Sequence, residues 1–251
     1  MLGNGFFLTF AAWPAVLLTC SLANMLIWGK FGWAEALIFA PLAGMVIGAS
    51  AWWGLQPSSG GAAGFFRGLL LIFSHGWVGL VRLCDGLADP AKFFWWSASA
   101  TVAATLLAAA LDHAASGPHG GGEVALSIPM FLLKAPFCLV STALGLLIMV
   151  VGLIHAAATS GDASGMVGGA PYEEWDHKAD PKFYATTVGA TFHVWQGHVE
   201  HVWIHERYHT RQCIYFHDWM IPFWCIGFVV TGGQAGEANP MENVAYQIQT
   251  R

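Results

Sequence analysis

Long apolar segments with few charges dominate the first 156 residues of the chain. A helix needs about 20 apolar residues to cross the hydrocarbon layer of a bilayer, and the segments 6–28, 33–54, 93–111 and 126–155 have about that length or more. Only 10% of the 251 residues are charged, against roughly 25% in an ordinary soluble domain. The sequence therefore predicts a mainly α, polytopic membrane protein with about four spanning helices, whose first partner is the lipid bilayer.

Two further apolar segments do not fit a simple crossing. Residues 65–85 are interrupted by Arg67 and Arg82 and by several glycines, a pattern typical of a helix that lies in the membrane interface. Residues 219–230 are apolar, but a dozen residues are too few to span. We therefore expect an interfacial helix near 65–85 and a short interfacial or re-entrant helix near 219–230.

Charged and histidine residues are concentrated in the last third of the chain. Residues 157–183 are rich in Gly, Ala and Asp and lack periodicity, which predicts a loop. Residues 184–193 are rich in β-branched and aromatic residues and predict a strand or hairpin, and a helical pattern follows from about residue 198. The expected organisation is a transmembrane domain over 1–156, a linker over 157–183 and a small α or α+β domain over 184–251 at the membrane surface.

The overall charge excludes one class of partner. The formal net charge is −5, and the ten Lys and Arg residues form no basic cluster. A nucleic-acid-binding protein needs a concentrated positive surface, so we expect no nucleic acid partner.

The segment 205–209, His-Glu-Arg-Tyr-His, is the strongest chemical signal in the chain. Positions i and i+4 of a helix lie on the same face, so His205 and His209 can offer two imidazoles to one metal ion. Zinc accepts neutral imidazole and, in catalytic sites, keeps one position for water. Glu206 then lies beside that water and is the candidate catalytic base.

The residues around this segment carry a family resemblance. The motif HERxHxRQ begins at His205, and Asn-Pro-Met-Glu-x-x-Ala-Tyr follows at 239–246. These motifs resemble those of small, largely uncharacterised bacterial proteins with HERxHxRQ and NPFExxAY sequences, which are regarded as zincin-like. The resemblance covers about residues 185–247, with Met241 in place of the usual Phe, and leaves 1–156 uncovered.

The resemblance implies a ligand set and a location. Glu242 would be the third zinc ligand, on a helix that Asn239 caps and Pro240 starts. The implied cofactor is Zn²⁺, the implied activity is that of a metallohydrolase acting as a peptidase, and the implied location is the bacterial inner membrane.

Other polar residues receive weaker interpretations. His198 and His201 are alternative ligands, members of a second metal site or an interfacial stripe, whereas His193 and His217 are interpreted as structural. Arg211 is expected either to face solvent or, with its neighbour Gln212, to orient the ligands.

Two isolated charges in the apolar part, Glu35 and Lys134, are predicted to extend to the membrane interface. No row of charged residues is visible in mid-span, so the sequence gives no indication of a carrier or proton pathway.

Two alternative functions are also compatible with the sequence. The first is an accessory subunit of a larger membrane complex, in which the metal only holds the C-terminal domain together. The second is a metal-dependent membrane oxidoreductase that uses the additional histidines 193, 198 and 201, although the repeated HxxxH and HxxHH boxes of such enzymes are missing.

Overall fold

The computed structural model describes residues 4–57, 60–83, 89–115, 121–159, 164–167, 170–175, 185–195 and 199–249. Helices form most of this part of the chain: α1 (Asn4–Trp28), α2 (Ala40–Gly54), α3 (Gly61–Leu83), α4 (Pro90–Ala115), α5 (Gly121–Lys134), α6 (Leu139–Thr159), α7 (Val199–Phe216), α8 (Met220–Val230) and α9 (Asn243–Gln249).

Several of these helices are suited to a bilayer. Five stretches in the described residues are long and apolar enough to cross a membrane: Thr9–Trp28, Glu35–Gly54, Gly61–Leu83, Pro90–Ala114 and Val202–Val230. Large apolar side chains cover the outside of the bundle, and Leu26, Ile154 and Val229 are 65%, 66% and 73% exposed. Such a surface is unusual for a soluble monomer and suits contact with lipid. The expectation of a mainly α, multi-pass protein is confirmed at this level.

The structure adds detail to two of the apolar segments. The segment expected to lie in the interface, 65–85, falls within α3 as far as Leu83. α3 is a candidate span by length and composition, but it is broken at Gly76, whose φ of 53° and ψ of −129° are not helical. A Cβ on Gly79 would lie 2.3 Å from the carbonyl oxygen of Leu71, so the two halves of α3 fold against each other. Arg67 binds the carbonyl oxygens of Gln56 and Pro57 at the preceding turn. The expected single span 126–155 is divided into α5 and α6 by a 3₁₀ turn at Ala135–Phe137. Pro136 lies in this turn and has no backbone N–H to continue a helix.

The first two candidate crossings form a helical hairpin. Gly29 has a φ of 64° and follows the last residue of α1, a position where glycine commonly ends a helix. Gly44 and Gly48 allow the two helices to touch, because a Cβ on Gly48 would lie 2.1 Å from the carbonyl oxygen of Thr9. Small residues four apart are a frequent device for close packing of membrane helices.

A small sheet follows α6. The described strands are β1 (Ser164–Val167), β2 (Ala170–Trp175), β3 (Ala185–Val188) and β4 (Thr191–Trp195), in the order β1-β2-β4-β3. The hairpin expected within 184–193 is present as the antiparallel pair β3-β4. β1 and β2 lie within the stretch interpreted as a loop, and they form because β2 pairs in parallel with β4, a long-range contact that local sequence does not reveal.

Helix α7 lies inside the bundle formed by the earlier helices rather than in a separate surface domain. It contacts α1, α4 and α5, and Tyr208, Ile214 and Tyr215 are completely buried against them. Residue His217 has a φ of 52° and a 3₁₀ turn at His217–Trp219 follows, so α7 continues through a bend into α8. The short apolar helix expected near 219–230 is therefore the second half of the fifth candidate span.

Candidate metal centre

Three buried side chains converge at the middle of α7. The Nε2 atoms of His205 and His209 are 3.1 Å apart, and Glu242 Oε2 lies 2.9 Å from the first and 3.1 Å from the second. Among the described residues, these three form a group that could hold a metal ion. The structure therefore brings together the three side chains that the sequence analysis named as metal ligands.

The dimensions of this triangle fit a transition-metal ion. A triangle with edges of 2.9, 3.1 and 3.1 Å has a circumradius of about 1.75 Å, which is shorter than zinc–nitrogen and zinc–oxygen bonds of about 2.0–2.2 Å. A cation could therefore bond all three atoms from a point outside their plane.

The orientation of His209 is set by Gln212. His209 Nδ1 lies 2.7 Å from Gln212 Oε1, and the amide nitrogen of Gln212 donates to Glu35 Oε2 and to the carbonyl oxygen of Met241. Because both contacts of the nitrogen are with acceptors, the amide oxygen faces His209 and accepts from Nδ1–H. The Nε2 atom of His209 then offers its lone pair to the centre, which is the form that binds a metal.

Glu242 is positioned by the turn after α8. Trp224 Nε1 donates a hydrogen bond to Glu242 Oε1, which leaves Oε2 directed at the imidazoles. Asn239 accepts a hydrogen bond from the Met241 N–H, and α9 begins only at Asn243. Asn239 therefore caps the turn that carries Glu242 rather than α9 itself.

The charges at the site alter the proton affinity of Glu242. Burial by itself would raise the pKa of this carboxyl. In the metal-free centre a protonated His209 and hydrogen bonds from both imidazoles outweigh burial and hold the pKa well below the usual range, and a bound cation would take the place of these protons. Glu242 is therefore an ionised carboxylate, the form that a metal ligand requires.

Glu206 is buried next to the ligands, but it is not a member of the triangle. Its Oε2 accepts a 2.5 Å hydrogen bond from Thr187 Oγ1 of β3. Burial and the negative charges of Glu242, Glu206 and Glu237 raise the pKa of Tyr246. The Tyr246 ring also packs edge-on against His205, with ring centroids 4.7 Å apart.

The remaining predicted histidines are not part of the triangle in the described structure. His198 and the side chain of His201 lie outside the described residues. His193 is buried in β4, where burial lowers its pKa to about 4. His217 contacts the carbonyl oxygen of Phe137, which agrees with a structural role.

Four charged residues next to the centre form a buried group, here called the Asp112 ion cluster: Asp112, Lys134, Arg207 and Arg211. Asp112 accepts hydrogen bonds from Arg207 Nη2 at 2.8 Å and Arg211 Nη1 at 2.7 Å, and Lys134 Nζ lies 3.2 Å from its Oδ2. None of the four is more than 1% exposed. The cluster ties α7 to α4 and α5.

These burials correct three expectations. Glu35 and Lys134 are fully buried and do not reach the interface, and Arg211 does not face solvent. The Asp112 ion cluster lies towards the ends of two candidate spans, because Asp112 is near the end of Pro90–Ala114 and Arg207 is near the start of Val202–Val230. Isolated charges in apolar segments commonly pair inside the bundle. This rule would have given Asp112 as a partner for Lys134 and for the arginines of α7.

Comparisons of the chain with protein-family models, with curated proteins and with solved structures gave no match.

Proposed function

We propose that the protein is a membrane-embedded zinc hydrolase that cleaves amide bonds as a peptidase. The observation that carries this proposal is the convergence of His205, His209 and Glu242 within about 3 Å of one another. A buried carboxylate, Glu206, is next to one of these ligands in the chain and is held by Thr187.

Zinc is the ion that this donor set favours. Two imidazoles and one carboxylate are a ligand set of catalytic zinc sites, which keep the fourth position for water. Magnesium and calcium prefer sets made of oxygen atoms alone. Four protein ligands would instead indicate a closed structural site, and the described residues supply three.

The neighbouring side chains have separate roles in this proposal. Zinc held by His205, His209 and Glu242 would supply a water of lowered pKa and would polarise the substrate carbonyl. Glu206 accepts a proton from the attacking water on its carboxylate and transfers it to the leaving nitrogen. Thr187 orients Glu206, and Tyr246, whose ring packs against His205, is proposed to donate a hydrogen bond to the oxygen on which negative charge develops.

The position of the centre supports action at the membrane. His205 and His209 lie in the candidate span Val202–Val230, and the residues that hold their helix come from other candidate spans. Substrates with a membrane-anchored segment can approach such a centre without leaving the bilayer, so they are the proposed class.

The test combines metal analysis with one substitution. The full chain is purified in detergent, its metals are measured by mass spectrometry, and cleavage of a library of quenched fluorogenic peptides is followed for the parent, Glu206→Gln and Glu237→Gln. We expect about one zinc per chain in all three. Cleavage is expected to fall by at least about 100-fold only in Glu206→Gln, as for loss of a general base. Glu237 is the matched control because it is exposed.

Other outcomes would favour the alternatives. Zinc retained without any cleavage, together with co-purifying partner subunits, would favour an accessory subunit whose metal is structural. Iron or copper in place of zinc would favour an oxidoreductase.

A further inference from the structure

Glu35 is a completely buried carboxylate at the start of the second candidate span, and it receives four hydrogen bonds. Its Oε1 accepts from Ser21 Oγ at 3.0 Å and Tyr215 Oη at 2.7 Å. Its Oε2 accepts from Tyr208 Oη at 2.8 Å and Gln212 Nε2 at 2.9 Å. Burial of a carboxylate is costly unless its oxygens are hydrogen-bonded, and here each oxygen has two donors.

The backbone at Glu35 is also unusual. Glu35–Phe39 forms a π-helical turn that leads directly into α2. Such wide turns are rare and are frequently located at functional sites. This turn begins at the residue whose side chain reaches α7.

A chain of hydrogen bonds leads from Glu35 to the metal centre. A carboxylate only accepts, so it requires the nitrogen of the Gln212 amide to face it. The carbonyl oxygen of Met241, 3.0 Å from the same nitrogen, requires the same orientation. The amide oxygen is thereby directed to His209 Nδ1 at 2.7 Å, and this contact leaves His209 Nε2 as the metal-binding atom.

We propose that Glu35 is a positioning residue of the metal centre, acting through Gln212 on the ligand His209. The inference rests on the proposed function only in that the centre binds a metal, and it does not require hydrolysis. Through Glu35, the second candidate span contributes to the metal site, although it lies far from the segment 205–209 in the chain. Partners of this kind orient the ligand and typically change metal affinity by about 10–100-fold.

The test measures zinc affinity of the full chain in detergent by competition with a chromophoric chelator. Glu35→Gln keeps the size of the side chain and removes its charge, so that the Gln212 amide nitrogen loses one of its two partners that only accept and keeps the carbonyl oxygen of Met241. We expect zinc to bind about 10–100-fold more weakly. Ser21→Ala is the matched control, because it removes a donor to Oε1 and leaves the Oε2–Gln212 contact. Its expected effect is less than about threefold.

A double substitution separates a positioning role from a general structural role. If Glu35 acts through Gln212, then Glu35→Gln adds little to Gln212→Met, and the double variant binds zinc about as weakly as Gln212→Met alone. Multiplied losses in the double variant, or equal losses in Glu35→Gln and Ser21→Ala, would overturn the proposal. If Glu35→Gln does not fold, Glu35→Asp takes its place, because it keeps the charge and withdraws it from Gln212. Unchanged zinc affinity in that variant would overturn the proposal as well.

A measurement on the metal-free chain distinguishes failure of this inference from failure of the proposed function. The Nδ1 proton of His209, assigned by its loss in His209→Asn, is followed by NMR in the metal-free chain. The proposal predicts that this proton exchanges slowly in the parent and in Ser21→Ala and is lost in Glu35→Gln. That result supports the action of Glu35 on His209 through Gln212 even if no zinc binds. A proton that is retained in Glu35→Gln contradicts it.

Discussion

Trp224 Nε1 donates a hydrogen bond to Oε1 of Glu242 and so determines which oxygen of this carboxylate faces the imidazoles. Trp224→Phe removes the donor and keeps an aromatic ring. We expect zinc affinity to fall by about tenfold, as for the loss of other groups that orient a ligand. Competition titration measures this. Trp95→Phe, at a 62% exposed position on α4, is the control, and an equal loss in both variants would contradict the proposed orientation.

The close approach of α8 to the turn that carries Glu242 requires a glycine. A Cβ on Gly227 would lie 2.1 Å from Asn239 Oδ1, so Gly227→Ala must displace the cap of that turn. We expect a loss of stability of about 1–3 kcal/mol, the usual effect of overpacking, together with weaker zinc binding. Thermal unfolding in detergent measures the first. Gly236→Ala, whose Cβ would have only Tyr246 Oη nearby at 3.8 Å, is expected to behave as the parent.

Thr187 is expected to affect catalysis and not metal binding. Thr187→Val removes the hydroxyl that holds Glu206 Oε2 and preserves the shape of the side chain. We expect kcat to fall by about tenfold, because general acid–base catalysis depends on the position of the carboxylate, with zinc affinity unchanged. Thr186→Val, on the exposed face of the same strand, provides the comparison. A parallel loss of zinc in Thr187→Val would argue against a catalytic role for Glu206.

Within the described residues, Asp112 is the carboxylate that all three cations of the Asp112 ion cluster contact, so the members of the cluster are not equivalent. Asp112→Asn removes the counter-ion that the three buried cations share, and we expect a destabilisation of about 3–5 kcal/mol. Lys134→Met breaks one of these ion pairs and keeps those of Asp112 with Arg207 and Arg211, so it is expected to cost considerably less. Unfolding of the two variants in detergent compares them directly, and a larger effect of Lys134→Met would show that the carboxylate does not organise the cluster.

The sequence predicted the parts of the centre that depend on local structure. His205 and His209 are four residues apart on one helix, and helical geometry alone brings their imidazoles together. Glu242 was implied by a resemblance in the residues around it, and its turn lies close to α7 in the fold. Both expectations agree with the triangle that the structure contains.

The sequence did not predict the residues that hold the metal ligands and α7 in place, because their contacts depend on long-range packing. Glu35 contacts Gln212 across 177 positions of the chain, and Asp112 contacts Arg211 across 99. Neither spacing has a local pattern, and an acid near the end of an apolar segment resembles one that reaches the interface. The strands β1 and β2, which pair with each other as a local hairpin, were also missed, and β2 joins the sheet through β4 by a tertiary contact.

X-ray absorption at the zinc edge on the purified, metal-loaded chain tests the central claim most directly. The proposal predicts about one zinc per chain, bound by two imidazole nitrogens and one carboxylate oxygen at about 2.0–2.2 Å with a light atom from water as the remaining ligand. The zinc signal is expected to disappear in His209→Asn and to remain in His113→Asn, which alters an exposed histidine on α4. A chain without zinc, a signal that persists in His209→Asn, or a sphere of four protein ligands would contradict the proposed catalytic centre.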